Sequence, residues 1–88
     1  MTGEDRIAQT LTEAFDPVSV NVVDESDRHK GHAGARPEGE THFRVVVVSE
    51  AFRGKSRLAA HRMVHAALRD EFARGLHALV IDARAPDA

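Results

Sequence analysis

The residues of this chain best suited to chemistry are its six histidines. Neutral imidazole is a good ligand for iron, zinc and copper. With no cysteine among the 88 residues, no thiolate of this chain competes for that role. His29, His32 and His77 form the set of interest. The first two fall in a stretch without large apolar residues and the third opens a short apolar run, so all three are expected to remain accessible. Two protein imidazoles leave a metal short of ligands, and further donors would come from a partner or a small thiol. Ordinary surface histidines are the plain alternative. His61 and His65 lie four residues apart, a metal-ligand spacing on one helix face. Arg62, however, stands where a zinc-protease helix carries its glutamate. The simpler reading has His61 packed at the edge of an apolar stripe and hydrogen-bonded, with His65 solvated. His42 begins a strand-like run, and a hydrogen-bonding role is its default.

A second chemistry is electrostatic. No acid occurs from Ala51 to Arg69, whereas Arg53, Lys55, Arg57, Arg62 and Arg69 supply five formal positive charges there. A basic turn leading into a helix can hold phosphates or dock an acidic protein surface; a plain solvated face is the alternative. The chain as a whole carries a net charge of −2, which argues against a wholly basic nucleic-acid binder. With four Phe and no Tyr or Trp, base stacking is not expected to dominate. Gly54-Lys55-Ser56 closes a segment set between a strand-like and a helix-like run, the context of a phosphate-binding loop. That pattern needs a glycine where Ser49 stands, so a corner between helical pieces is the better reading. No Ser-His-Asp order, apolar carboxylate pair or cofactor fingerprint stands out. So short a chain has little volume for an enclosed active site, and an enzyme is not expected.

The elements that must position these groups follow from periodicity and punctuation. Thr2 and Asp5 have the spacing of a capping box, and Ile7, Leu11 and Phe15 mark one helix face. Asp16-Pro17 ends that helix. Val18, Val20 and Val22 alternate with Ser19, Asn21 and Val23 as a half-buried strand. Residues 24–41 hold three glycines and one proline but no large apolar residue, so a mobile, exposed loop is expected. His42–Val48 is the clearest strand. Ser49 caps a short helical turn ending at Gly54, and Ser56 caps a longer helix from Arg57 to about Ala73, stopped by Gly75. Leu58, Val64, Leu68 and Phe72 are its apolar stripe. His77–Ala83 reads as the third strand, and residues 85–88 as a frayed tail.

The order is α-β-β-α-α-β: a single α+β domain, residues 1–88, with a three-stranded mixed sheet. A helical connection makes the second and third strands parallel, so His77 starts its strand at the end of the sheet that carries the 24–41 loop with His29 and His32. The longest apolar run, Val45–Val48, is too short for a membrane span. The first residues lack the apolar core of a secretory signal. The absence of cysteine fits a cytoplasmic setting.

Six segments in order resemble the BolA family: Asp24-Glu25-Ser26-Asp27-Arg28-His29, Glu40-Thr41-His42-Phe43-Arg44-Val45, Val48-Ser49, Phe52-Arg53-Gly54-Lys55, His61-Arg62-Met63-Val64 and His77-Ala78-Leu79. The resemblance runs from Arg6 to Pro86. It implies a class II KH-like fold and partnership with a monothiol glutaredoxin. It also implies a shared [2Fe–2S] cluster whose sulfur ligands come from the glutaredoxin and from glutathione. It assigns His77 as one ligand from this chain and a loop histidine as the other. His29 fits the family's loop start best and His32 is the fallback, giving the histidine-loop subtype. Some members act as DNA-binding regulators, for which Arg53, Gly54, Lys55, Arg57, His61 and Arg62 are the candidate contacts. Ala60 stands where the family commonly has arginine, which weakens a contact there. A small metal-binding module working alone is a third reading. The isolated chain is expected to be a monomer or weak homodimer, with no membrane association.

Overall fold

The computed structural model describes residues 2–25 and 42–87; His29 and His32 lie outside them. Helix α1 spans Gly3–Phe15. The expected capping box is formed: the Asp5 amide donates to Thr2 Oγ1 at 3.1 Å and the Thr2 amide to Asp5 Oδ2 at 3.0 Å. These bonds hold the Asp5 carboxyl below its ordinary value of 3.8, because they favour the ionised form. A depressed carboxylate stabilises the fold above its unfolded pKa and loses that contribution as pH falls through the folded value. Protection of the first-turn amides of α1, measured against their intrinsic exchange rates, is therefore expected to weaken as pH falls below the ordinary carboxyl value of 3.8, and Asp5→Ala is expected to remove that pH-dependent loss of protection. Asp16 ends the helix in the left-handed region at φ 45°, a conformation that aspartate tolerates better than most residues.

Strand β1 (Ser19–Asp24) pairs antiparallel with β2 (His42–Val48), and β2 pairs parallel with β3 (Ala78–Arg84). The strand order is β1-β2-β3. β1 begins one residue later than the valine alternation suggests. Val18 is 71% exposed, and only its amide joins the sheet, donating to the Val48 carbonyl at 2.8 Å. From β2, Phe43, Val45 and Val47 point to one face, where they meet Ile7 and Leu11 of α1 and Ala60, Val64 and Leu68 of the following helix. Ser49 is fully buried. Its hydroxyl donates to the Phe15 carbonyl at 2.5 Å and accepts from the Ala51 amide at 3.0 Å. It thereby ties the end of α1 to the end of β2.

A 3₁₀ turn, Glu50–Phe52, leads to α2 (Arg57–Ala67) and α3 (Arg69–Arg74). The single helix expected from Arg57 to about Ala73 is broken at Leu68. That residue is buried in the core and its amide is shared among the carbonyls of Val64, His65 and Ala66. The short turn beyond is fixed to α1, where Arg6 Nε and Nη2 donate to Glu71 Oε2 and Oε1 at 3.1 and 3.2 Å. Leu58 is not part of the apolar stripe. It is 58% exposed, because the buried line is Ala60, Val64 and Leu68 at four-residue spacing, and Leu58 points away from it.

The Glu71 side chain is only 10% exposed, so removing its partner leaves a carboxylate desolvated and unpaired. Arg6→Ala is expected to cost about 2–3 kcal/mol in urea unfolding. The double variant Arg6→Met with Glu71→Leu is expected to recover most of that loss. A single variant as stable as wild type would remove the pair from the account.

β3 starts at Ala78, one residue later than expected, so His77 immediately precedes the strand. The described tail, residues 85–87, does not fray. The Pro86 carbonyl accepts from Arg53 Nη2 at 3.3 Å, and the Asp87 carboxylate lies 3.6 Å from the same atom. Among the described residues no helix is long and apolar enough to cross a membrane.

Candidate functional site

Parallel pairing of β2 and β3 brings their first residues to one end of the sheet, with His42 opposite Ala78. Antiparallel β1 finishes at the same end: Asp24 faces Phe43, and the Glu25 amide donates to the His42 carbonyl at 2.8 Å. The chain therefore leaves the described sheet at Glu25 and returns at His42 on the rim that holds His77. The backbone of His77 is held from both sides. Before it, Leu76 is buried and donates its amide to the Glu71 carbonyl at 3.0 Å, following Gly75 in a left-handed conformation at φ 119°. After it, β3 begins at once. The side chain itself is exposed. Its ring centroid lies 5.4 Å from that of His42, with the planes inclined at 56°.

His42 itself is 7% exposed. From the sequence its expected role is hydrogen bonding, with no link to His77. The signal was there, since a histidine opening β2 must neighbour one that precedes a parallel β3, but it becomes legible only once the two strands are aligned. Among the described residues, no group of three or more His, Cys, Asp or Glu side chains gathers as a metal site.

The basic turn sits at the opposite end of β3. It borders an open groove of about 500 Å³ between the start of α2 and the end of the strand. Lys55 and Arg57 line one side, Asp82 and Arg84 the other, and Phe52 and Ala60 also contribute. Ala60 belongs to the packed core, so its position is part of the groove wall as well as the helix–sheet contact. Gly54 has φ 78° with nothing near its missing side chain. It is required by backbone conformation rather than by space.

Arg53, also on the groove's border, is engaged by its own turn. It donates to both carboxylate oxygens of Glu50 at 2.6 and 2.7 Å. Those bonds lower the Glu50 pKa and, with the nearby Asp87, raise that of Arg53. His61 is exposed and lines a narrow gap with Arg57, Ile81 and Asp82. It makes no hydrogen bond among the described residues, unlike the expected edge-packed role. His65 is exposed but not simply solvated: its ring stacks on Phe72 at 4.4 Å and lies 6.2 Å from that of His61. Arg62 is exposed.

The profile described as BolA-like protein matches residues 11–88. SufE-like protein 1, chloroplastic/mitochondrial, of Arabidopsis thaliana is 46% identical over 85 residues, covering 92% of this chain and 23% of that protein. This chain thus corresponds to about a quarter of that relative. The DNA-binding transcriptional regulator BolA of Escherichia coli K12 is 44% identical over 77 residues, covering 88% of this chain and 70% of the relative. The solved BolA domain of SufE1 from Arabidopsis thaliana superposes with a TM-score of 0.86 at 43% identity, covering 98% of this chain and 94% of that one. With the mixed three-stranded sheet, the helix order and these matches in agreement, the chain belongs to the BolA-like protein family.

Proposed function

We propose that this chain is a non-enzymatic adaptor that binds a monothiol glutaredoxin and co-ligates a [2Fe–2S] cluster. In this reading His77 is one ligand, and His29, with His32 as the fallback, is the other. The observation that carries it is the exposed imidazole of His77 on the rim where the chain leaves and re-enters the sheet around residues 26–41. A chain without cysteine has imidazole as its remaining nitrogen or sulfur ligand of choice for iron, so the donor set fits a centre whose sulfur ligands come from a partner. Imidazole in place of thiolate raises the reduction potential of such a cluster, which suits a relay or a sensor of iron and redox state. The reading requires glutathione, which the cytoplasm supplies.

Mixing the purified chain with a monothiol glutaredoxin, iron, sulfide and glutathione is expected to give a heteromeric complex. Its visible spectrum should differ from that of the glutaredoxin's own cluster. Two proteins that elute separately, with the glutaredoxin spectrum unaltered, would overturn the reading.

A second reading is supported by the relative named as a DNA-binding transcriptional regulator and by the Lys55, Arg57 and Arg84 side chains beside the groove. Here the chain binds DNA mainly through phosphates. Affinity is then expected to fall steeply with salt. The double variant Lys55→Glu with Arg57→Glu is expected to flatten the log–log salt slope by about 0.9 for each phosphate no longer neutralised. Arg53, already paired with Glu50, is expected to matter less. Binding indifferent to salt would contradict this reading.

A further inference from the structure

We propose that His42 is a positioning residue for His77: the contact between their rings holds the His77 imidazole in one orientation, and so sets how firmly it retains a metal centre brought by a partner. The inference rests on the adaptor reading above and adds a role for a residue outside its ligand set.

Burial and backbone pairing make His42 a fixed platform. It is 7% exposed, the first residue of the central strand, opposite Ala78, with its carbonyl accepting from the Glu25 amide. The platform is absent from the two neighbouring positions that could otherwise serve, since Leu76 is buried in the core and Ala78 has only a methyl group. His77 has a clamped backbone but an exposed side chain. Among the described residues, the ring of His42 is the only ring or hydrogen-bonding partner its side chain has. Without it, rotation about χ1 and χ2 is the freedom left to this imidazole. The 5.4 Å centroid separation and 56° inclination fall within the range of favourable tilted ring pairs. Groups that orient a metal-binding histidine commonly change affinity by about 10- to 100-fold when removed. A ring contact is weaker than the hydrogen bond usually found there, so the lower end of that range applies.

Two variants separate ring contact from ring nitrogen. His42→Ala removes both, whereas His42→Phe retains an aromatic face without a nitrogen. In the unloaded chain, side-chain couplings and ring relaxation of His77 measured by NMR are expected to report one rotamer in wild type and in His42→Phe, and averaging in His42→Ala. In the complex with glutaredoxin, cluster loss is expected to quicken on the order of 10-fold in His42→Ala and to stay near wild type in His42→Phe. A merely structural role would lower the unfolding midpoint without altering the order of the His77 ring. Three results overturn the inference: a His77 ring equally ordered in His42→Ala, an unchanged cluster lifetime in that variant, or a His42→Phe chain as impaired as His42→Ala. A wild-type chain that forms no mixed cluster brings down the adaptor reading itself. A wild-type cluster that His42→Ala leaves untouched brings down this inference alone.

Discussion

His77→Ala is expected to abolish the visible spectrum of the mixed cluster while leaving the fold intact. The side chain is exposed and contributes nothing to the core, so its truncation falls among surface changes worth within about 0.5 kcal/mol. In the adaptor reading, by contrast, it removes one of the two ligands this chain provides, and no cysteine is available to replace it. The effect is therefore all on assembly and none on folding. His61→Ala is the control. His61 is also exposed, but it lies beside Arg57 and Asp82 along the α2–β3 gap, away from the rim, and the mixed spectrum is expected to survive its removal. Absorption and circular dichroism of the reconstituted complex, with unfolding curves of the free chains, check both variants. A spectrum that persists unaltered in His77→Ala would remove that residue from the ligand set.

Phe43→Ala is expected to produce the largest loss of stability, about 3–5 kcal/mol. The ring is almost fully buried on the central strand. It lies opposite Asp24 on one side and Leu79 on the other, on the face covered by α1 and α2. Domains of this length have about 4–13 kcal/mol of stability in all, so this one truncation removes a large fraction of it. Because Phe43 follows His42, its truncation also loosens the end of the sheet from which the His42–His77 contact is built. Urea unfolding is expected to show a lower midpoint with an unchanged slope. A loss below about 1 kcal/mol would mean that the core closes around the missing ring far better than its packing indicates.

How far the fold could be read in advance depends on whether a residue's fate is decided locally. The cap at Thr2 and Asp5, the bounds of β2 and the cap at Ser56 are set by neighbours within a few positions, and they appear as expected. Parallel pairing of β2 with β3 follows from the helical connection between them. The break at Leu68 was not legible. Just beyond it Glu71 meets Arg6, 65 positions away, a contact that no local pattern signals, and periodicity alone runs straight through the break. Leu58 misled for a related reason, because an apolar side chain carries no mark of whether its helix face meets the sheet. The start of β3 shifted by one residue, which moves His77 off the strand but keeps it on the same rim.

The site itself was partly legible. Exposure of His77 and its end of the sheet follow from topology, whereas the burial of His42 against it requires the register of two strands. The pairing of Arg53 was half visible. Glu50 lies three residues before it, a spacing at which side chains meet on a helical turn, while the contact with Asp87 needs the tail to fold back. The counted charge of the basic turn therefore overstates its free charge, and Arg84 across the groove is likewise paired, lying 3.5 Å from the Asp82 carboxylate, which leaves Lys55 and Arg57 as the groove's principal cations.

The most direct test of the central claim is hyperfine spectroscopy of the reduced mixed cluster, prepared with this chain carrying ¹⁵N-labelled histidine and the glutaredoxin unlabelled. The account predicts two directly bound histidine nitrogens whose couplings change with the label on this chain and do not respond when the glutaredoxin is labelled instead. A spectrum without such nitrogens, or one indifferent to the label, would contradict it.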